Sequence, residues 1–393
     1  MHRPVVLLCL VAACGGESTD ARPSRVDSAG VELISNARPL WSGSDAWRIG
    51  PALLTLGNER EETQLGDAVQ ARWATDGSVW ISDLINARIH LYGPDGAWER
   101  SLGGRGGGPG EYQGSPLLAP VGSDSMGVSD GGSRRLTILD RSGLPARTLD
   151  LPNVSPYGFS LLGRRSDGRL LLQASSLMYG PGPDGAHWIP APLLILRSDG
   201  APPDTVLTYD HHHLVTAAGR PVVTFLGTWA SLATDGDLVF VGRGDRARVD
   251  VHDAASGVLV RSLRWARIPG LVDQALKDSI RTEMLHPYPP APPSVARQFD
   301  AIWANTWWPE RRPLFERLVV DPGGALWVGV HQVQRRGGRT WTVFDPTGLW
   351  LGDVTAPEGF EIEQIGDDAV LGIWKDDLDV SWVQVRRLDR QAR

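Results

Sequence analysis

Short runs of Val, Leu, Ile and Trp recur along the chain, each entered through a two-residue turn signal. The signals are Asp76-Gly77, Ser123-Asp124, Asp167-Gly168, Asp235-Gly236, Gly323-Gly324 and Asp367-Asp368. Gly, Asp and Ser tolerate the positive φ of tight turns, so each pair predicts a hairpin feeding an alternating strand. A second set of runs predicts a further strand closed by another turn: Ile89 to Gly96, Leu136 to Gly143, Leu193 to Gly200, Val249 to Gly257 and Thr340 to Gly348. Trp382 to Val385 is a sixth such run near the C-terminus.

The first turns begin at 76, 123, 167, 235, 323 and 367, so their separations are 47, 44, 68, 88 and 44 residues. A unit of about 44 residues has the size of a four-stranded propeller blade. Such a unit cannot bury both faces of its sheet alone, so the units must stack around an axis. Six turns predict an all-β, six-bladed β-propeller, with seven blades as the alternative if the 88-residue gap hides one. That gap reads differently. Val272, Leu276, Ile280 and Met284 recur at i+4, and Ser294 stands as an N-cap before Val295, Phe299, Ile302 and Trp303. This is helical spacing, which predicts a helical insert over 266–313, between the fourth and fifth units. The 68-residue gap carries a long Gly- and Pro-rich turn from Ser175 to His187, and Tyr209 to Pro221 shows no pattern. The last unit lacks residues for its outer strand. Val31 to Ile34 or Trp47 to Leu56 would supply it, closing the ring and removing a sheet edge.

The N-terminus reads as a leader. His2 and Arg3 precede an apolar run from Val5 to Ala13, about half of what a membrane-spanning helix needs. The run ends Val11-Ala12-Ala13-Cys14, which resembles the bacterial lipobox, where the cysteine is acylated and becomes the first mature residue. Both cysteines, Cys9 and Cys14, lie here, so the mature chain would keep one thiol and no internal disulfide. The expected organisation is a lipoprotein signal peptide over 1–13, a flexible tether over 14–28 and a propeller over 29–393. Gly15 after the cysteine favours the outer membrane in enteric bacteria.

Charge limits the partners. The formal charge of −7 becomes −8 once Arg3 leaves with the leader, and no Lys/Arg block exceeds two residues, which argues against nucleic acid. The stretch Gly103-Gly104-Arg105-Gly106-Gly107-Gly108-Pro109-Gly110 is superficially like a phosphate loop, but no Lys-Ser/Thr or helix follows it. It reads as a connection needing several positive-φ residues.

Asp76-Gly77 to Asp83, Asn86-Ala87-Arg88-Ile89, Pro94-Asp95-Gly96 and Gly108-Pro109-Gly110-Glu111-Tyr112 together resemble the first blade of bacterial six-bladed β-propeller lipoproteins related to NHL-repeat proteins. The resemblance returns at Arg312-Pro313 through Val328. It implies a secreted, lipid-anchored propeller. NHL-type relatives include binding modules, lyases and lactone hydrolases, so the fold does not choose a function.

Among candidate chemistry, His211-His212-His213 would alternate in direction on a strand, so at most two face one site, and they read as a solvated loop. His90, His252 and His331 read as satisfied blade residues. Asp83 and Asp130 hold matching positions in two units, which predicts repeated Asx-type turn bonds. No catalytic residue, metal-ligand set or cofactor is assigned. Insertions between repeats often form the binding face, so Trp303, Trp307 and Trp308 are the candidate binding residues, with packing of the insert as their other reading. The expected function is a lipid-anchored binding or scaffold module for a protein, peptide or glycan. The alternative is a metal-dependent lyase or lactonase-like hydrolase working in the central channel.

Overall fold

The computed structural model describes residues 23–41, 46–66, 69–122, 124–151, 158–174, 183–197, 202–285, 292–333 and 337–390. Cys14 and most of the Ser175 to His187 turn lie outside them. The described strands form six sheets, in a β-propeller-like, all-β arrangement. The first strands of the sheets are Val69–Trp73, Pro116–Gly122, Phe159–Arg164, Ala230–Thr234, Phe315–Val320 and Phe360–Ile365. Each touches the next and the last touches the first, so they surround an axis.

Both faces of every sheet are apolar, and this is why the sheets stack. In the first sheet Ile81 packs toward the sixth, with Leu371 and Val383, while its neighbour Trp80 packs toward the second, with Leu118 and Val128. Trp327 and Val328 divide in the same way between the sixth and fourth sheets. Adjacent residues point to opposite faces of a strand, so an unbroken apolar run serves two neighbouring cores. Trp80, Trp327 and Trp341 fill these cores with no more than 1% of their surface exposed.

All six predicted first turns join a sheet's first strand to its second. Gly77, Gly168, Gly236 and Gly324 take the left-handed φ that the turns require. At the next turn of the fifth sheet, a Cβ on Gly348 would stand 2.5 Å from Leu263 Cδ2 of the fourth. That glycine therefore sets how closely two sheets approach.

The two N-terminal strands take separate places. Arg48–Leu56 is the outer strand of the sixth sheet, antiparallel to Ser381–Asp389, with Leu56 opposite Val383 and Leu54 opposite Val385. Val31–Asn36, the other candidate for that place, runs parallel to Leu259–Trp265 and widens the fourth sheet. Ser24–Ser28, at the end of the segment read as a tether, adds a further strand outside it. Asn36 explains the docking. Its side chain donates to the Arg264 and Gly348 carbonyls and accepts from Trp350 N, fastening the segment across two sheets.

Between the fourth and fifth sheets the chain forms α1 (Gln274–Leu285) and α2 (Pro293–Ala304). Asp273 caps α1 by accepting from Leu276 N at 2.9 Å. Ser294 is not the cap of α2. The helix starts at Pro293, whose missing N–H costs nothing in the first turn, so proline replaces the expected serine signal.

Tyr209 to Pro221, unpatterned in sequence, is mostly strand. Asp204–Ala217 pairs along Gly185–Leu196, and Arg220–Pro221 continues the sheet. Buried polar residues such as His211, His212 and Thr216 hid its alternation. The Asx reading of Asp83 and Asp130 holds. Asp83 accepts from the backbone of Gly66, Ile85 and Asn86, and Asp130 from that of Gln113, Gly114 and Gly132. Burial would raise the Asp130 pKa, but these bonds and one from Ser133 hold it below the usual range. Gly103, Gly104 and Gly110 of the glycine-rich connection have positive φ, as expected.

Candidate functional site

Successive strands in each sheet run antiparallel, so the second turn and the connection to the next sheet lie at one end of the axis. That end carries α1 and α2, hereafter the helical end. It also holds an aromatic and histidine cluster that no interior core accounts for, and the Glu316 and His331 end of a ladder of ion pairs that runs on toward the opposite end.

A ladder of ion pairs crosses three adjacent first strands. Arg72 meets Glu363 at 2.7 Å; Arg317 reaches Glu363 at 3.1 Å and Glu361 at 2.9 Å. Arg339 continues the line to Glu361 at 2.8 Å and Glu316 at 2.5 Å, and His331 Nε2 stands 3.5 Å from Glu316. Ala71, Leu318 and Ile362 fill the interior cores from the same strands, and the charged residues beside them pair across from one first strand to another. Burial opposes the charge on Glu363, yet Arg317 and Arg72 outweigh it and its pKa lies below the ordinary range. The pKa of Arg317 is raised in return: burial lowers it, but Glu363 and Glu361 prevail. Burial keeps His331 low against the pull of Glu316.

Beside the ladder stands an aromatic and histidine cluster. His211 and His212 are buried on Asp204–Ala217, not in a solvated loop. The His212 ring stacks on Trp229 at 3.7 Å and 9°, and His211 meets the same indole edge-on at 5.3 Å. His213 lies between Trp188 at 5.2 Å and Trp307 at 5.8 Å. Burial first, then His211 and His213, push the His212 pKa down to about 4. Burial also lowers His211 and His213, so all three rings are neutral near pH 7. Arg243 stacks over Trp188 at 4.3 Å and pairs with Asp210 and Asp245. Trp229, immediately before the first strand of the fourth sheet, remains 39% exposed.

The three tryptophans chosen from sequence divide. Trp303 and Trp308 meet each other at 4.8 Å and both flank Phe225, at 5.3 and 5.6 Å, with Phe299 closing the group. They fasten α2 to the ring. Trp307 instead joins the histidine cluster, and its backbone N–H donates to Val223 O. His90 Nδ1 bonds Ser101 Oγ at 2.7 Å while its Nε2 is buried without a partner, and His252 Nδ1 bonds Gly257 O at 3.0 Å, so both rings are held within their sheets. The ladder and Trp229 escaped the sequence reading. Glu361-Ile362-Glu363 and Arg72 between Ala71 and Trp73, charges alternating with apolar residues just before the predicted turns, were the signal available.

At the opposite end a cavity of about 310 Å³ is lined by Arg164, Arg165, Asp235 and Asp237. Arg165 is already paired there with Asp167 and Asp237, at 3.2 and 3.5 Å. Among the described residues no group of three or more His, Cys, Asp or Glu is arranged to hold a metal ion, and no helix is long and apolar enough to cross a membrane.

No family model matches the chain, and no curated protein matches it in sequence. Solved structures share its fold. An exported protein of Bacteroides fragilis aligns over 92% of this chain and 100% of its own, with 12% identity and a TM-score of 0.50. A member of the DUF4221 family from Bacteroides vulgatus aligns over 88% and 99%, with 10% identity and a TM-score of 0.52. A gluconolactonase of Xanthomonas campestris aligns over 92% of this chain and 99% of its own, with 15% identity and a TM-score of 0.44.

Proposed function

We propose that this chain is a lipid-anchored, six-bladed β-propeller of the bacterial cell envelope, with α1 and α2 as a helical insert. It binds a protein, peptide or glycan partner at the helical end. The observation that carries the reading is the pairing of the chemical groups there and along the ladder. Glu316, Glu361 and Glu363 are each engaged by an arginine, and the three histidines stand against tryptophans. A metal-dependent lyase or lactonase would need acids and imidazoles free to converge on one point. Exposed Trp229, with Trp307 nearby on the same cluster, offers the flat apolar surface that anchors peptide and sugar contacts.

The anchor has its own test. Cells fed labelled fatty acid should incorporate it into the wild-type chain, and Cys14→Ser should abolish both the label and sedimentation with membranes. A labelled, membrane-bound Cys14→Ser chain would refute acylation at this position. Membrane fractionation of the native organism should recover the protein with the outer membrane, and recovery with the inner membrane would contradict that location.

A further inference from the structure

The end of the tether and the base of the helical insert meet. Ser24 pairs with Ser35, Asn36 pairs with Trp265, and Ala266 N donates to Asn36 O at 2.9 Å. The chain leading from the anchor therefore joins the domain where the segment carrying α1 and α2 begins. Nine residues, 15 to 23, separate Cys14 from Ser24. The ten steps from Cys14 to Ser24, at about 3.5 Å each, span at most about 35 Å. A lipid on Cys14 holds this flank of the ring within that distance of a bilayer.

The insert exposes apolar side chains that its packing does not use. Phe299 and Trp303 of α2 turn toward Phe225. Val295 and Ile302, seven residues apart and so on one helix face, remain exposed. Met284 in the last turn of α1 is exposed as well, and the run into α1 carries Ile268 and Leu271, 81% and 58% exposed. The charges on the helices are balanced: Arg281 pairs with Asp300 across them, and Lys277 lies over Trp308. Apolar residues on an amphipathic helix, beside a lipid tether, suit the headgroup boundary of a bilayer.

We propose that α1, α2 and the run before them rest on the membrane that holds the Cys14 lipid, with Ile268, Leu271, Met284, Val295 and Ile302 entering its interface. This rests on the acylation of Cys14 proposed above. Docking supplies a second attachment besides the acyl chains and fixes which flank of the ring faces the lipid. The mouth around Trp229 is then presented beside the membrane surface.

The test bypasses cellular acylation. The full chain carrying Cys9→Ser is coupled through Cys14 to a maleimide lipid in phosphatidylcholine vesicles, and hydrogen exchange is followed by mass spectrometry. Exchange over 274–285 and 293–304 should slow at least several-fold relative to the uncoupled chain, while Arg135–Asp140 in the second sheet is unchanged. The double variant Val295→Asp, Ile302→Asp alters only exposed positions; it should stay coupled and lose the slowing. Equal exchange in coupled and uncoupled chains would overturn the proposal, as would slowing that survives the double variant. Slowing that requires added envelope proteins would also overturn it, in favour of a protein partner. Labelled fatty acid reports acylation separately, so the two readings fail independently.

Discussion

A chain beginning at Gly57 is expected to lose cooperative unfolding, whereas one beginning at Trp47 keeps it. The difference between them is the strand Arg48–Leu56, whose backbone completes the sixth sheet from Arg48 opposite Asp389 to Leu56 opposite Val383. Without it Ser381–Asp389 becomes an open edge. Leu56, 2% exposed, also leaves the core it shares with Val79, Ile81 and Tyr92 of the first sheet. Losing Leu56 alone would cost about 2–5 kcal/mol. The strand's remaining contacts and the loss of closure come on top, which approaches the whole stability of a typical domain. The chain from Trp47 lacks Ser24–Ser28 and Val31–Asn36, and with them buried Ile34 and the Asn36 bonds to the fifth sheet, but each of the six sheets keeps at least four strands, so it should unfold in one transition at a lower midpoint. Thermal unfolding followed by circular dichroism checks both. A single sharp transition in the chain from Gly57 would contradict the closure.

Arg317→Met should destabilise the ring by about 2–4 kcal/mol at neutral pH, from the cost of breaking an ion pair largely out of water, reduced for partial solvent access. The substitution removes a partner from both Glu361 and Glu363, although Arg339 and Arg72 remain. The effect has a pH signature. Glu363 has a folded pKa below its ordinary 4.5, so its contribution is fully present above that value and is lost as pH falls through the folded pKa. The gap between wild type and Arg317→Met should therefore narrow as pH drops below about 4.5. With Glu363→Gln already present, Arg317→Met should cost less than it does in the wild type, because one of the two carboxylates that Arg317 engages is gone. Urea unfolding across pH reads all three. A gap independent of pH would mean that Arg317 acts through packing alone.

The fold was legible where residues repeat. The six turns, the apolar runs after them and the second set of runs marked the second and third strands of the sheets, because a sheet buried on both faces leaves continuous Val, Ile, Leu and Trp signals. The closing strand was legible as one of two alternatives. Arg48–Leu56 could be told from Val31–Asn36 only through partners far along the chain, Val383 for one and Leu263 for the other. Asp204–Ala217 was missed because its buried face carries histidines. The candidate site was legible least. Trp303 was visible on a helical pattern and Trp308 as an aromatic of the insert, but their use as packing depends on Phe225, about 80 residues upstream. The ladder from Arg72 to His331 joins residues about 260 positions apart, and nothing local in the sequence couples them.

Function at the helical end is tested most directly by capturing the chain from its own membranes alongside the double variant Trp229→Ala, Trp307→Ala. The wild-type chain should retain one partner at near-equal amount. The variant, shown by its unfolding midpoint to be folded, should lose it. Equal retention by both chains would contradict the account, as would a purified protein that holds Ca²⁺ or Zn²⁺ stoichiometrically and hydrolyses lactones.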